Sequence, residues 1–267
     1  MKNEGVRGLQ LATLDSIRPK AASFAGVSDE RYLVRMATGW TEIETALRLR
    51  NQVFNIEING GKTVSRESDL EVDAYDFKSR HLIVVSRATG ETVGTYRLNS
   101  IETVGSAAGF YSSNEFTIED LPQSVLQNGI EIGRACIAAE HRNTKVLFLL
   151  WKALLAYLEH KNKRYFFGCC SIFTQDENVG RDAYRQLERA GHLDDKLSVV
   201  PCSNAIGFAG DETSQRSVEL PALFNMYLRI GAKICGPPMI DRSFGTIDFF
   251  VVFDTEKMSD KYQRLFS

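Results

Sequence analysis

Residues 130–173 place the tightest constraint on how this chain can fold. Residues 130–137 form a short apolar run, residues 144–161 are apolar on nearly every face, and residues 165–173 are again strand-like. A helix without a polar face must be covered all round, so residues 144–161 lie between other elements rather than on a surface. The apolar stretch 146–158 is interrupted by Lys152 and falls short of the roughly 20 residues needed to cross a bilayer, so it reads as a buried helix.

Around this centre the pattern alternates without strict strand–helix–strand order. Residues 32–36 read as a strand, followed by a helix to about residue 53 with Thr41 and Glu44 in capping-box spacing. A polar loop over 59–78 carries Asp69, Glu71, Asp73 and Asp76, and a loop of that length in a compact domain is usually functional or disordered. Strands at 81–85 and 92–98 flank a turn at 88–91, and 113–128 is a short helical, proline-punctuated connection. Helices at 182–190 and 220–230 end at Gly191 and Gly231. Strands are expected at 197–200, stopped by Pro201, and at 247–253, and 203–216 reads as a mobile loop. The fold class is therefore α/β or α+β, with a mixed central sheet. Residues 1–30 read as a loosely ordered arm or one short helix, and 31–267 as a single domain with no linker to divide it.

Composition narrows the function classes. A net charge of −2 and a pI near 6.1 exclude the strongly basic profile of a nucleic-acid binder. No apolar leader follows Met1, so a cytoplasmic protein is expected. The five cysteines contain no C-x-x-C, and the four histidines are scattered, so neither a disulfide framework nor a metal site is expected. Cys169 and Cys170 lie within an apolar strand pattern and read as core residues rather than nucleophiles.

A set of charged and aromatic residues recurs in order: Arg50 and Phe54 in the first helix, Asp73 and Asp76 in the acidic loop, Arg97 in the second hairpin strand, then Glu131-Ile132-Gly133-Arg134. Each alone suits a structural ion pair. As an ordered set, together with Gly94-Thr95-Tyr96-Arg97-Leu98, Phe110-Tyr111-Ser112, Glu115-Phe116, Leu220-Pro221 and Phe244-Gly245-Thr246-Ile247-Asp248, it resembles the GNAT-fold acyltransferases that take long acyl chains from acyl carrier protein. The resemblance runs over 32–266 and is nearest to the ornithine and glycine N-acyltransferases and long-chain N-acyl amino acid synthases. Acyl-homoserine-lactone synthases are more distant.

The resemblance implies a twisted mixed sheet with helices on both faces and a carboxy-terminal elaboration. It implies N-acylation of a small amino acid such as ornithine or glycine by a long-chain, 3-hydroxylated or unsubstituted, acyl group. Glu131 is the candidate base, with Arg134 beside it on a strand that carries a bulge in this fold; the bland alternative for Glu131 is a salt bridge to Arg97 or Arg50. Asp73 and Asp76 either shape the acceptor pocket, hold Arg50 and Arg97, or form a solvated acidic loop. Two departures refine the expectation. Autoinducer synthases carry a Trp after the first-helix Phe, whereas Phe54 is followed by Asn55-Ile56-Glu57.

The acetyl-coenzyme A turn of typical GNAT enzymes is glycine-rich, whereas Arg142-Asn143-Thr144-Lys145 has no glycine to let the backbone approach a pyrophosphate. The expected donor is thus the acyl-phosphopantetheine of acyl carrier protein rather than acyl-coenzyme A, with Arg142, Asn143, Thr144 and Lys145 as its contacts. No bound cofactor is expected, and contact with a membrane is at most peripheral. Two rivals remain: a lysophospholipid-type O-acyltransferase, disfavoured because no His has Asp five residues on, and a non-catalytic module that binds acyl groups or acylated carrier.

Overall fold

The computed structural model describes residues 24–58, 60, 69–207 and 216–266. The chain divides into two compact units, 1–98 with 134–161, and 99–133 with 162–267. The nine strands among the described residues are mixed in direction, as the α/β reading expects. Residues 1–23 of the expected arm, residues 59 and 61–68 of the acidic loop, and 208–215 of the expected mobile loop lie outside the described residues.

In the first unit, β1 (Val27–Ser28), β2 (Tyr32–Met36), β3 (Arg80–Ser86) and β4 (Thr92–Ser100) pair antiparallel in that order. β1 thus lies within the segment expected to be an arm. Gly90, at φ +74°, supplies the left-handed residue of the β3–β4 turn. Ile83 alternates with Leu82 and Val84, and packs with Ile43, Ala46 and Leu47 of helix α1 (Trp40–Arg50).

The expected cap at Thr41 is not what starts α1. The N-cap is Gly39, without a side-chain cap, and the backbone N–H and hydroxyl of Thr38 both donate to Glu42. Arg35 holds that carboxylate through two hydrogen bonds of 2.7 and 2.6 Å and lowers its pKa to about 2, so the helix start is tied to β2. α1 continues as a π-helix over Asn51–Ile58, in which Val53 and Phe54 are buried. Wide turns of this kind are rare and concentrate at functional sites.

Strand β5 (Gly129–Ile137) spans the boundary between the units, which falls between Gly133 and Arg134. The buried helix α2 (Thr144–His160) follows, in the first unit, and packs on β1 and β2. Asn143 caps it by accepting from the N–H groups of Lys145 and Val146 at 3.0 and 3.1 Å.

In the second unit β6 (Tyr165–Ile172) pairs parallel with β5 over Gly129–Glu131 only, then antiparallel with β9 (Thr246–Asp254) over its whole length. β7 (Lys233–Ile234) and β8 (Met239–Asp241) also pair with β9. Both were too short to read from an alternating pattern. Where β5 and β6 part, Gly168 adopts φ +152°, and a Cβ there would stand 2.4 Å from the carbonyl oxygen of Ile132. Any side chain would push the two strands apart at this point.

Helix α3 (Glu177–Arg189) starts before the expected residue 182 because Asp176 caps it, accepting from the Asn178 N–H at 2.9 Å. Helix α4 (Ala222–Ile230) ends as expected at Gly231, in left-handed conformation at φ +108°. Residues 197–200 are not a strand. They make isolated contacts instead, Val199 donating to the Cys235 carbonyl at 3.0 Å and Val200 to the Thr117 hydroxyl at 3.0 Å.

Candidate active site

Most of the ordered charged set gathers in the first unit as an ion-pair lattice. Arg50, fully buried at the end of α1, grips Asp76 with two hydrogen bonds, Nη1–Oδ1 at 2.6 Å and Nη2–Oδ2 at 3.1 Å, and also donates to Glu71. Arg97 on β4 donates from Nη1 to both oxygens of Asp73 at 2.6 and 2.7 Å and to Asp76 at 3.1 Å. Arg134 reaches Glu71 from Nε at 3.2 Å and Asp73 from Nη2 at 3.3 Å. Three guanidinium groups and three carboxylates thus neutralise one another.

The loop closes on itself as well, because the Asp73 N–H donates to Asp76 at 2.8 Å and the Tyr75 N–H to Asp73 at 2.8 Å. Burial alone would raise the Asp76 pKa, but the Arg50 and Arg97 charges outweigh it and hold the carboxyl well below the usual range. Burial and the same arginines push His81 down to about 4 against the opposing pull of Asp76, so this imidazole is neutral at physiological pH.

Arrangement of this kind makes Asp73, Asp76, Arg50 and Arg97 a scaffold, and it places Arg134 in the scaffold too. Glu71 is the member that sequence reasoning named only as part of the acidic loop; its signal was a fourth carboxylate at alternate spacing with Asp69 and Asp73. Arg134 has φ +51°, an uncommon left-handed conformation for a residue with a side chain. The left-handed φ interrupts the regular pleat there, and the guanidinium is held by Glu71 and Asp73.

Glu131 belongs to the second unit. It is 4% exposed and accepts four hydrogen bonds, from Asn99 Nδ2 (3.2 Å), the Tyr111 N–H (3.1 Å), the Ser112 N–H (2.8 Å) and the Ser112 hydroxyl (2.8 Å). All four donors are neutral, so the expected alternative of a salt bridge to Arg97 or Arg50 does not describe this carboxylate. The Cys169 thiol in turn donates to the Ser112 hydroxyl at 3.6 Å.

Register explains why these groups meet. Glu131 pairs with Phe167 across β5 and β6, and Ser171 and Cys169 pair with Asp248 and Phe250 across β6 and β9. The two-residue period puts Glu131, Phe167, Cys169, Phe250 and Asp248 on one sheet face. The segment from Phe110 to Phe116 covers that face, with Phe110 edge-on to Phe167 at 5.0 Å and Phe116 against Phe250 at 5.7 Å. A polar seam therefore runs through an aromatic core.

Glu115 lies in this seam, 5% exposed, and its carboxylate, with those of Asp241 and Asp248, offers oxygens that all lie within 4.8 Å of one another. Burial, reinforced by the negative charges of Asp248 and Asp241, pushes Glu115 up to about 8. Burial and the neighbouring Glu115 and Asp248 carboxylates push the Cys169 thiol well above its ordinary value, which disfavours the thiolate. The resemblance had brought Glu115 and Asp248 to notice without a role. A lone carboxylate inside the apolar run of β9 was the available signal for Asp248.

The residues expected to contact a donor have partners of their own. Arg142 donates to both oxygens of Glu57 and, from Nε, to the Ile137 carbonyl at 2.9 Å, while Asn143 is spent on its helix cap and Lys145 is exposed. A cleft of about 340 Å³ opens in the second unit between Ile172, Asp176, Asp182 and Val218, and none of the sequence-predicted site residues lines it. No described helix is long and apolar enough to cross a membrane.

Residues 49–152 match the family described as Acetyltransferase (GNAT) domain. The chain is 31% identical over 242 residues to an L-ornithine N(alpha)-acyltransferase of Brucella abortus, covering 86% of each chain. It is 27% identical over 246 residues to the enzyme of the same name from Rhodobacter capsulatus, covering 88% of this chain and 95% of the relative. Among solved structures, the coenzyme A-dependent acyl-homoserine lactone synthase BjaI with SAM and isopentyl-CoA superposes with a TM-score of 0.48 at 13% identity, over 85% of this chain and 81% of that one. Likeness to the Brucella enzyme over nearly the full length, with the GNAT match spanning Arg50 to Arg142, places this chain in the L-ornithine N(alpha)-acyltransferase family.

Proposed function

We propose that this protein transfers a long acyl chain from the thioester of acyl carrier protein to the α-amine of ornithine. The observation that carries the reading is the near full-length similarity to ornithine Nα-acyltransferases. In the reaction the α-nitrogen attacks the thioester carbonyl, the C–N bond forms and the C–S bond breaks. The amine proton passes to a base and ends on the departing pantetheine thiol. An α-amine of pKa near 8 is about 1.4 kcal/mol from its neutral form at pH 7, whereas a side-chain amine near 10.4 is about 4.6 kcal/mol away, so the α-position is the easier nucleophile.

Glu131 is the base in this reading. Its lone pairs are filled by four donors, of which the Ser112 hydroxyl alone can rotate. Ser112 therefore relays the proton: its oxygen accepts from the amine while its own hydrogen passes to Glu131. Arg134 acts on β5 itself, its left-handed conformation bending the strand and its guanidinium anchoring that bend to Glu71 and Asp73. Arg50, Asp73, Asp76 and Arg97 form the charged scaffold of the first unit, and Phe54 is buried in the π-helix that follows Arg50. The glycine-free Arg142-Asn143-Thr144-Lys145 turn supports a carrier-protein donor over coenzyme A.

The test is incubation of purified protein with acylated carrier protein and a panel of amino acids, read by mass spectrometry. Nα-acyl ornithine and free carrier are expected; no acylated amine from any acceptor would sink the reading. Glu131→Gln, in protein that remains folded by circular dichroism, is expected to lower turnover at least tenfold, and unaltered turnover would remove Glu131 as the base. Lys145→Glu combined with Arg142→Glu is expected to raise KM for acylated carrier severalfold, an effect that shrinks as salt is added, while leaving KM for ornithine unchanged.

A further inference from the structure

We propose that Glu115, Asp241 and Asp248 form the seat for the side-chain ammonium of the acceptor, so that this cluster selects a diamino acid. The inference rests on the ornithine reading and adds which residues recognise the second amine. Its first support is burial. Glu115 is 5% exposed, and its Oε2 has no hydrogen-bond partner among the described residues. Proteins seldom leave a buried acceptor of this kind unmatched unless a ligand, ion or water completes it.

Geometry is the second support. Three acceptors around a tetrahedral ammonium at ~2.8 Å stand about 4.6 Å apart, and one oxygen from each carboxylate lies within 4.8 Å of the others. Two of the carboxylates are also pre-set. Asp241 Oδ1 accepts from the N–H groups of Ser243 and Phe244 at 2.7 and 2.9 Å, and Asp248 Oδ2 from the Thr246 hydroxyl at 3.2 Å.

Electrostatics agree. Burial and two neighbouring carboxylates push Glu115 up to about 8, so without a cation it holds a proton at neutral pH. A permanent cation placed among the three would return it to the carboxylate form. The cluster also shares the sheet face of Glu131, linked through Cys169 and Ser112, so one seam offers a proton acceptor at one end and a cation seat at the other.

The experiment compares wild type, Glu115→Gln and Asp241→Asn with ornithine and with norvaline, which has the same chain length but no second amine. Wild type is expected to prefer ornithine in kcat/KM by at least a hundredfold. Each variant should cut that preference at least tenfold through KM for ornithine, with KM for the acyl donor unchanged. Both are isosteric, and Asp241→Asn keeps the oxygen that accepts from Ser243 and Phe244. A retained preference, or equal losses for both acceptors, overturns the inference. So does loss of wild-type activity on chelation with recovery on adding Mg²⁺ or Mn²⁺, which would make the cluster a metal site.

Calorimetry with free ornithine and norvaline needs no turnover. Should wild type acylate neither acceptor, the transfer reading fails by itself. The cation seat then stands if ornithine binds and Glu115→Gln abolishes binding, and falls if ornithine and norvaline bind alike or not at all.

Discussion

Replacing Asp76 by alanine is expected to destabilise the protein by roughly 3–5 kcal/mol, the cost of leaving a buried charge without its partner. Asp76 is fully buried and receives hydrogen bonds from Arg50 and Arg97, and its removal leaves the Arg50 guanidinium, also fully buried, with Glu71 alone. Asp73 pairs with Arg97 and Arg134, but its side chain is 25% exposed, so water can replace part of what alanine removes there, and a smaller loss is expected. Urea unfolding of the two variants at pH 7 measures the difference. Equal losses would show that the lattice does not depend on burial.

The pH dependence of the same site has a definite sign. Asp76 has a folded pKa below its unfolded one, so the stability it contributes is present above about pH 4 and is lost as the pH falls through the folded value. The gap between wild type and Asp76→Ala should therefore narrow only in strong acid.

Glu115→Gln is expected to act in the opposite direction and to stabilise the protein most at alkaline pH. The folded pKa of Glu115, about 8, lies above the unfolded value near 4.5. The folded state thus binds the extra proton between those limits, and wild-type stability falls as pH rises across that window. The penalty accumulates across that window and is largest above pH 8. Glutamine has no such titration. Urea midpoints of the two proteins should converge near pH 4.5 and separate by pH 8.5, with ornithine narrowing the separation by stabilising wild type. A gap that does not change with pH would mean that Glu115 titrates normally.

Much of the fold is legible because its elements are long and their patterns strong. The apolar residues 144–161 could only be a covered helix, and the hairpin around Gly90 announced itself by two alternating runs and a turn. Short elements were not legible: β7 and β8 are two and three residues long and exist because β9 offers them an edge. The start of α1 was misread because Glu42, not Thr41, organises it, and that depends on Arg35 arriving from another strand. Residues 197–200 have strand composition but meet single partners rather than a neighbouring strand.

The charged set shows the same division. Order along the chain identified the family and brought together Arg50, Asp73, Asp76, Arg97, Glu131 and Arg134, because motif residues keep their order whatever their contacts. Which of them are paired with one another is a matter of distance, and distance is set by tertiary packing. The fold spends five of the six differently from the remaining one: five interlock in the first unit with Glu71, while Glu131 lies among neutral donors in the second. The same packing brings Glu115, Asp241 and Asp248 together from positions up to 133 residues apart. Sequence alone determined the family, the helices and the long strands, since these follow from local periodicity and ordered motifs. Tertiary structure alone decided which carboxylates are neutralised and which are left to receive a cation, because desolvation and pairing are properties of the folded neighbourhood.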